Sequence, residues 1–79
     1  MKSDDELDNK RMAIETVAEV LIIRGVPDGA AEIAAKGFPS FVAKRYVKLG
    51  KNRNRDIQMM ERYVDIVLKA LDDRSIVAQ

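Results

Sequence analysis

All four glycines and both prolines of this chain fall between Gly25 and Gly50, and the long stretches on either side contain no residue of either type. Glycine and proline are the strongest local interrupters of regular structure, so this confinement predicts two long outer helices and a broken middle. Strands have little support. Val42-Ala43-Lys44-Arg45-Tyr46-Val47 does not alternate apolar and polar residues, and no Asn-Gly or Asp-Gly pair joins two β-branched runs. The pattern predicts an all-α fold: a small bundle of four helices with a helix-turn-helix-like centre. It forms a single domain over residues 1–79, with 1–8 and 74–79 expected to fray.

The four helices follow from their punctuation. Ser3-Asp4-Asp5-Glu6 reads as a capping box with acids at the positive end of a helix dipole, and Gly25 is placed to close that helix after Arg24. Leu7, Ile14, Val17, Ala18, Leu21 and Ile22 share its broad apolar face. Val26-Pro27-Asp28-Gly29 is a turn, from which a short second helix starts at Pro27 or Asp28 and runs to Lys36. Its small residues Ala30, Ala31, Ala34 and Ala35 permit close backbone approach. Gly37-Phe38-Pro39-Ser40 ends it and begins a third helix expected to reach Leu49 and stop at Gly50. A polar loop, Lys51-Asn52-Arg53-Asn54, leads to a last helix capped by Asn54 or Asp56 and continuing to about Asp72.

Charge is sharply divided along the chain. Lys36, Lys44, Arg45, Lys48, Lys51, Arg53 and Arg55 lie in a segment without any acid, while all 13 acidic residues lie elsewhere, so a formal net charge of +1 conceals a strongly polarised chain. A one-signed field of this kind attracts polyanions, nucleic acid foremost. An ordinary solvated surface is the bland alternative, since lysines near a helix C-terminus are favoured by the dipole. Arg53 and Arg55 resist that explanation, because they flank a helix start, where the dipole opposes positive charge.

Catalysis is not expected. With no cysteine and no histidine, neither a thiolate site nor a nucleophile–histidine pair can be assembled, and a zinc site would need carboxylates alone. No cofactor, metal or small-molecule substrate is anticipated. The acidic amino terminus lacks the apolar stretch of a secretory signal, and the longest purely apolar run, Val20 to Ile23, is far too short to span a membrane. A cytoplasmic location and no membrane partner are the corresponding expectations.

The expected DNA contact is the third helix with its following loop, residues 40–55. Wound at about 100° per residue, Lys44, Arg45, Lys48 and Lys51 fall on one side of a helix, Val42, Ala43, Tyr46, Val47 and Leu49 are left to reach the core, and Phe41 falls in the basic sector. Lys44, Arg45, Lys48, Lys51, Arg53 and Arg55 would hold phosphates, and Ser40, Phe41 and Asn52 would read bases. Residues 30–47 resemble a helix-turn-helix, with Ile33-Ala34, Gly37-Phe38, Ala43 and Tyr46 at its inward positions. Gly25-Val26-Pro27-Asp28-Gly29-Ala30-Ala31-Glu32, followed by Gly37-Phe38-Pro39-Ser40, is similar to helix-hairpin-helix modules, which implies phosphate binding by that hairpin.

The last helix carries an unusually wide apolar sector. Ile57, Met60, Val64, Val67 and Leu71 form one row, and Met59, Tyr63, Ile66 and Ala70 another beside it. The excess suggests burial against a second molecule as well as against the chain's own core. A homodimer using Ile57, Met59, Met60, Tyr63, Val64, Val67 and Leu71 is expected. The alternative to a DNA-binding regulator is a non-enzymatic inhibitor or adaptor that docks on a partner regulatory protein through the same apolar surface, with the basic segment steering it to an acidic partner.

Overall fold

The computed structural model describes the backbone of residues 2–78 and the side chains of residues 7–73. The described chain is mostly helical and contains no strand: α1 is Lys2–Ile23, α2 Asp28–Ala35, α3 Phe38–Ala43 and α4 Arg53–Ala78. The expected bundle of four helices is not what forms: two long helices, α1 and α4, carry two short ones between them. α1 packs on α2, α3 and α4, and α3 also packs on α4, in a body of 49 × 22 × 18 Å. The Ser3–Glu6 capping box concerns side chains outside the described residues. Where fraying was expected, over 1–8 and 74–79, the described backbone is helical from Lys2 and as far as Ala78. α4 runs past its expected end near Asp72, because Arg74 to Ala78 contain no breaker. No helix among the described residues is long and apolar enough to cross a membrane.

α1 ends as its glycine dictates. Gly25 adopts φ 100°, its N–H donates to the Ile22 carbonyl at 3.0 Å, and the Val26 N–H donates to the Leu21 carbonyl at 2.9 Å. This pair of bonds is a Schellman motif, which satisfies two carbonyls that the last helical turn leaves open. It also folds buried Val26 back toward buried Leu21. α2 then starts at Asp28 with Pro27 before it, where the missing N–H costs nothing.

The core draws one stripe from each helix. Ala13, Val17 and Leu21 come from α1, Ala31 and Ala35 from α2, Phe38, Phe41 and Val42 from α3, and Met59 and Val64 from α4. Full burial of a Leu, Val or Phe side chain contributes about 1.5–3 kcal/mol. Ala31 and Ala35 are completely buried, as close approach of α1 and α2 requires. Around Phe38 the packing is aromatic: its ring centroid lies 6.3 Å from Phe41 and 5.4 Å from Tyr63, and Phe41 and Tyr63 are 5.2 Å apart. Tilted pairs of this kind add about 0.5–1.5 kcal/mol each beyond their buried area.

Tyr63 completes the junction between α2 and α3. Its hydroxyl donates to the Ala34 carbonyl, near the end of α2. Gly37, between the two short helices, lies directly beneath that hydroxyl: a Cβ built there would meet Tyr63 Oη at 2.6 Å. With φ −80° and ψ −9°, the Gly37 backbone itself would accept any residue. Close approach, rather than conformation, demands the glycine.

Two outcomes follow from this junction. In chemical denaturation, Gly37→Ala should destabilise by about 1–3 kcal/mol through overpacking, and Tyr63→Phe by about 1 kcal/mol through loss of a hydrogen bond. Together they should cost less than their sum, because removing the Tyr63 hydroxyl leaves room for the new methyl; an additive result would contradict the proposed contact. Burial also raises the Tyr63 hydroxyl above its ordinary pKa of 10.0. The folded state therefore keeps a proton that the unfolded chain loses first, so this contribution is present below pH about 10 and lost above it. The stability advantage of the natural chain over Tyr63→Phe should hold up to pH about 10 and shrink as pH rises beyond it.

Candidate functional site

α3 is much shorter than its sequence suggests, and this changes the geometry of the basic segment. The helix stops at Ala43 rather than Leu49. Arg45 N–H bonds to the Val42 carbonyl and Tyr46 N–H to the Ala43 carbonyl, both at 3.0 Å, while Val47 N–H reaches back to the Val42 carbonyl at 3.3 Å. The last two bonds form a second Schellman motif, with Tyr46 in the left-handed position at φ 57°. Half-buried Val47 is thereby turned back toward buried Val42.

Several expectations are corrected here. Lys44, Arg45, Lys48 and Lys51 do not lie on a helix that could enter a major groove; they belong to the turn and loop after it. Phe41 is a core residue, 9% exposed, and not a base-reading group. Once the helix is cut at Ala43, its inward stripe is Phe38, Phe41 and Val42, spaced i, i+3, i+4. Tyr46, expected inside, is 97% exposed. Of the inward positions of the helix-turn-helix resemblance, Phe38 is buried and Ala34 half-buried, but Ile33, Gly37, Ala43 and Tyr46 are exposed. Ser40 is exposed on α3.

Asn52, rather than Asn54 or Asp56, caps α4. Its main-chain carbonyl accepts the Asp56 N–H at 2.9 Å, and its Oδ1 accepts the Arg55 N–H at 3.1 Å. The side-chain oxygen is thus engaged in the cap, and the amide NH2 remains as its outward donor. Asp56 ties the loop to the helix by accepting the Gly50 N–H on Oδ2 at 2.9 Å. Gly50 needs its glycine twice over, with φ 88° and a missing Cβ that would lie 2.3 Å from Asn9 Nδ2. These contacts anchor one end of the basic loop to α1 and α4, and Arg45 anchors the other. Its guanidinium carbon lies 3.7 Å from the Phe41 ring centroid, and Nη1 donates to the Phe41 carbonyl at 3.2 Å.

The electrostatic outcome is a one-signed surface. Lys36, Lys44, Arg45, Lys48, Lys51, Arg53 and Arg55 are all exposed. Among the described residues no carboxylate lies within 4.0 Å of their nitrogens. Two described acids dilute the field: Asp56, whose Oδ2 accepts the Gly50 N–H at 2.9 Å beside Lys51, and Asp8, which shares a shallow groove with Lys48 and Lys51. Arg53 and Arg55 occupy the first and third positions of α4, at the positive end of its dipole. Each such misplaced charge costs about 0.3–1 kcal/mol where exposed.

Tyr46 is the residue that pattern reading missed, assigned to the core on the premise of a longer helix. A non-glycine residue in the left-handed region costs about 1–3 kcal/mol, and such strain gathers at functional positions. Of the expected partner surface on α4, Met59 and Val64 are buried. Met60, Tyr63, Val67 and Leu71 are packed against the core, and Ile57 is 44% exposed. Most of the wide apolar sector of α4 is therefore used within the chain. No family model, curated protein or solved structure matches this chain.

If the Tyr46 ring contributes nothing to folding, Tyr46→Gly should raise stability by about 0.5–1 kcal/mol through relief of the left-handed backbone. Tyr46→Ala should change it by less than about 0.5 kcal/mol. Thermal and denaturant melts of both variants check this, and a clear loss in Tyr46→Gly would show that the ring packs.

Proposed function

We propose that this chain is a small, non-enzymatic DNA-binding regulator that grips the phosphate backbone with a basic loop rather than with a recognition helix. Lys44, Arg45, Lys48, Lys51, Arg53 and Arg55 supply the cations, and Ser40, the Asn52 amide and the Tyr46 ring supply shorter-range contacts. The observation that carries this reading is the exposed cation cluster with no described carboxylate in ion-pairing range. Its energetic signature adds support. Two arginines stand where a helix dipole disfavours them and a bare tyrosine sits in a strained backbone, both costly to the fold and both reasonable for a ligand.

Loop-based backbone contact predicts affinity with little sequence discrimination and strong dependence on salt. Tyr46 adds a flat ring on which an unstacked base can lie, a contact worth about 1–3 kcal/mol in single-strand binders. Arg45 serves both roles, since its guanidinium is held over the Phe41 ring by one bond to the Phe41 carbonyl while the residue stays exposed and its other N–H donors make no described hydrogen bond.

Anisotropy of a labelled random-sequence duplex, titrated at several salt concentrations, tests the proposal. With five or six phosphates neutralised, log K should fall against log salt with a slope of about −5. Neutralising Arg53 and Arg55 together as glutamines should make that slope shallower by about 2 while leaving the fold as stable or slightly more so. Absence of binding at low salt, or a slope unmoved by these substitutions, would overturn it.

A further inference from the structure

A second surface, on the side of α1 facing α2, has a charge pattern complementary to itself. Leu7, Ile14, Ala18 and Ile22 of α1, with Pro39 of α3, line an open groove. Leu7 is 60% and Ile22 41% exposed, so this stripe is distinct from the Ala13, Val17 and Leu21 stripe that builds the core. The charges beside the groove are segregated by end. Lys10 and Arg11 lie toward the amino end of α1, and Glu15 and Glu19 toward its carboxyl end. α2 repeats the polarity. Glu32 lies nearer the turn that joins it to the end of α1, and Lys36 nearer Pro39, which also borders Asp8, Asn9 and Lys10.

From this we infer that the groove binds a second copy of the chain, with the two α1 helices antiparallel about a twofold axis near Ile14 and Glu15. A twofold interface places each surface against its own reverse. In that register Leu7 of one copy meets Ile22 of the other, and the Ile14 side chains lie close to the axis. Arg11 falls opposite small Ala18, which leaves room for its stem, and its guanidinium reaches Glu15 or Glu19 along the same helix edge. On the other edge, Lys10 and Lys36 face Glu32 of the second copy. A parallel pairing would bring the basic amino ends of the two grooves together, and the acidic ends together, with Glu19 of one copy near the Glu32 edge of the other. Charge therefore selects the antiparallel arrangement, by attraction in one geometry and repulsion in the other. The benefit to a 79-residue chain is direct, because a second copy covers apolar surface that the small monomer core leaves open. This interface is separate from the α4 surface and from the basic loop, and stands whether or not the chain binds DNA.

Sedimentation velocity of the full chain at micromolar concentration, with two charge variants, is the test. Arg11→Glu makes Arg11, Glu15 and Glu19, the groove charges on that edge, all acidic, and Glu15→Arg with Glu19→Arg makes them all basic, with Asp8 left unchanged beyond the groove; all three substituted positions are exposed, and circular dichroism monitors folding. The natural chain should dimerise, and each variant alone should dissociate at least about tenfold more readily. An equimolar mixture of the two variants should dimerise again as a heterodimer. A natural chain that remains monomeric throughout the concentration range would overturn the inference, as would folded variants that self-associate as well as it does.

Discussion

The contact among Phe38, Phe41 and Tyr63 holds the rest of the molecule in place. These three rings bring α3 against α4, and the Tyr63 hydroxyl bonded to Ala34 ties the end of α2 to the same point. Gly37 lets the chain pass beneath that hydroxyl without a side chain between them. Because Phe38, Phe41 and Val42 must all face inward, α3 is used up within six residues. The chain leaving it turns at Tyr46 and is held to the core by half-buried Val47 and Leu49 instead of by a further helical turn. The basic loop starts there, its direction set by the core rather than by its own sequence.

That loop is held at both ends and open between them. Arg45 lies over Phe41 at the start, and Gly50, Asn9 and Asp56 interlock at the finish. Tyr46 and Lys48 between these anchors project into solvent, as do Lys44 and Lys51 just outside them. A loop so constrained loses less conformational freedom on binding than a free tail would, which favours affinity per contact. The cost is visible in the strained Tyr46 backbone and in the two arginines at the start of α4.

Much of this is legible in the sequence, for identifiable reasons. The end of α1 is readable because Gly25 is the residue a left-handed cap prefers, and the alanines of α2 signal a close helix contact. The end of α3 is hidden. The same cap is made there by Tyr46, and no glycine or proline stands between Pro39 and Gly50 to mark it. Extending that helix by six residues misplaces everything downstream: it turns Tyr46 inward and Phe41 outward, and gathers four scattered cations into one face. The cap of α4 is ambiguous because Asn52, Asn54 and Asp56 are all suitable residues, and only the Arg55 N–H bond selects Asn52. The charge segregation is a property of composition rather than conformation, so it does not depend on where the helix ends.

The account rests on the basic loop being a contact surface and not merely a solvated one. A chemical-shift titration of the isotope-labelled protein with a short oligonucleotide reads this residue by residue. Amide shifts concentrated between Lys44 and Arg55, largest around Tyr46 and Arg53 and fading as salt is raised, are the predicted result. Shifts confined to α1, α2 or the carboxyl half of α4, or none at low salt, would contradict it.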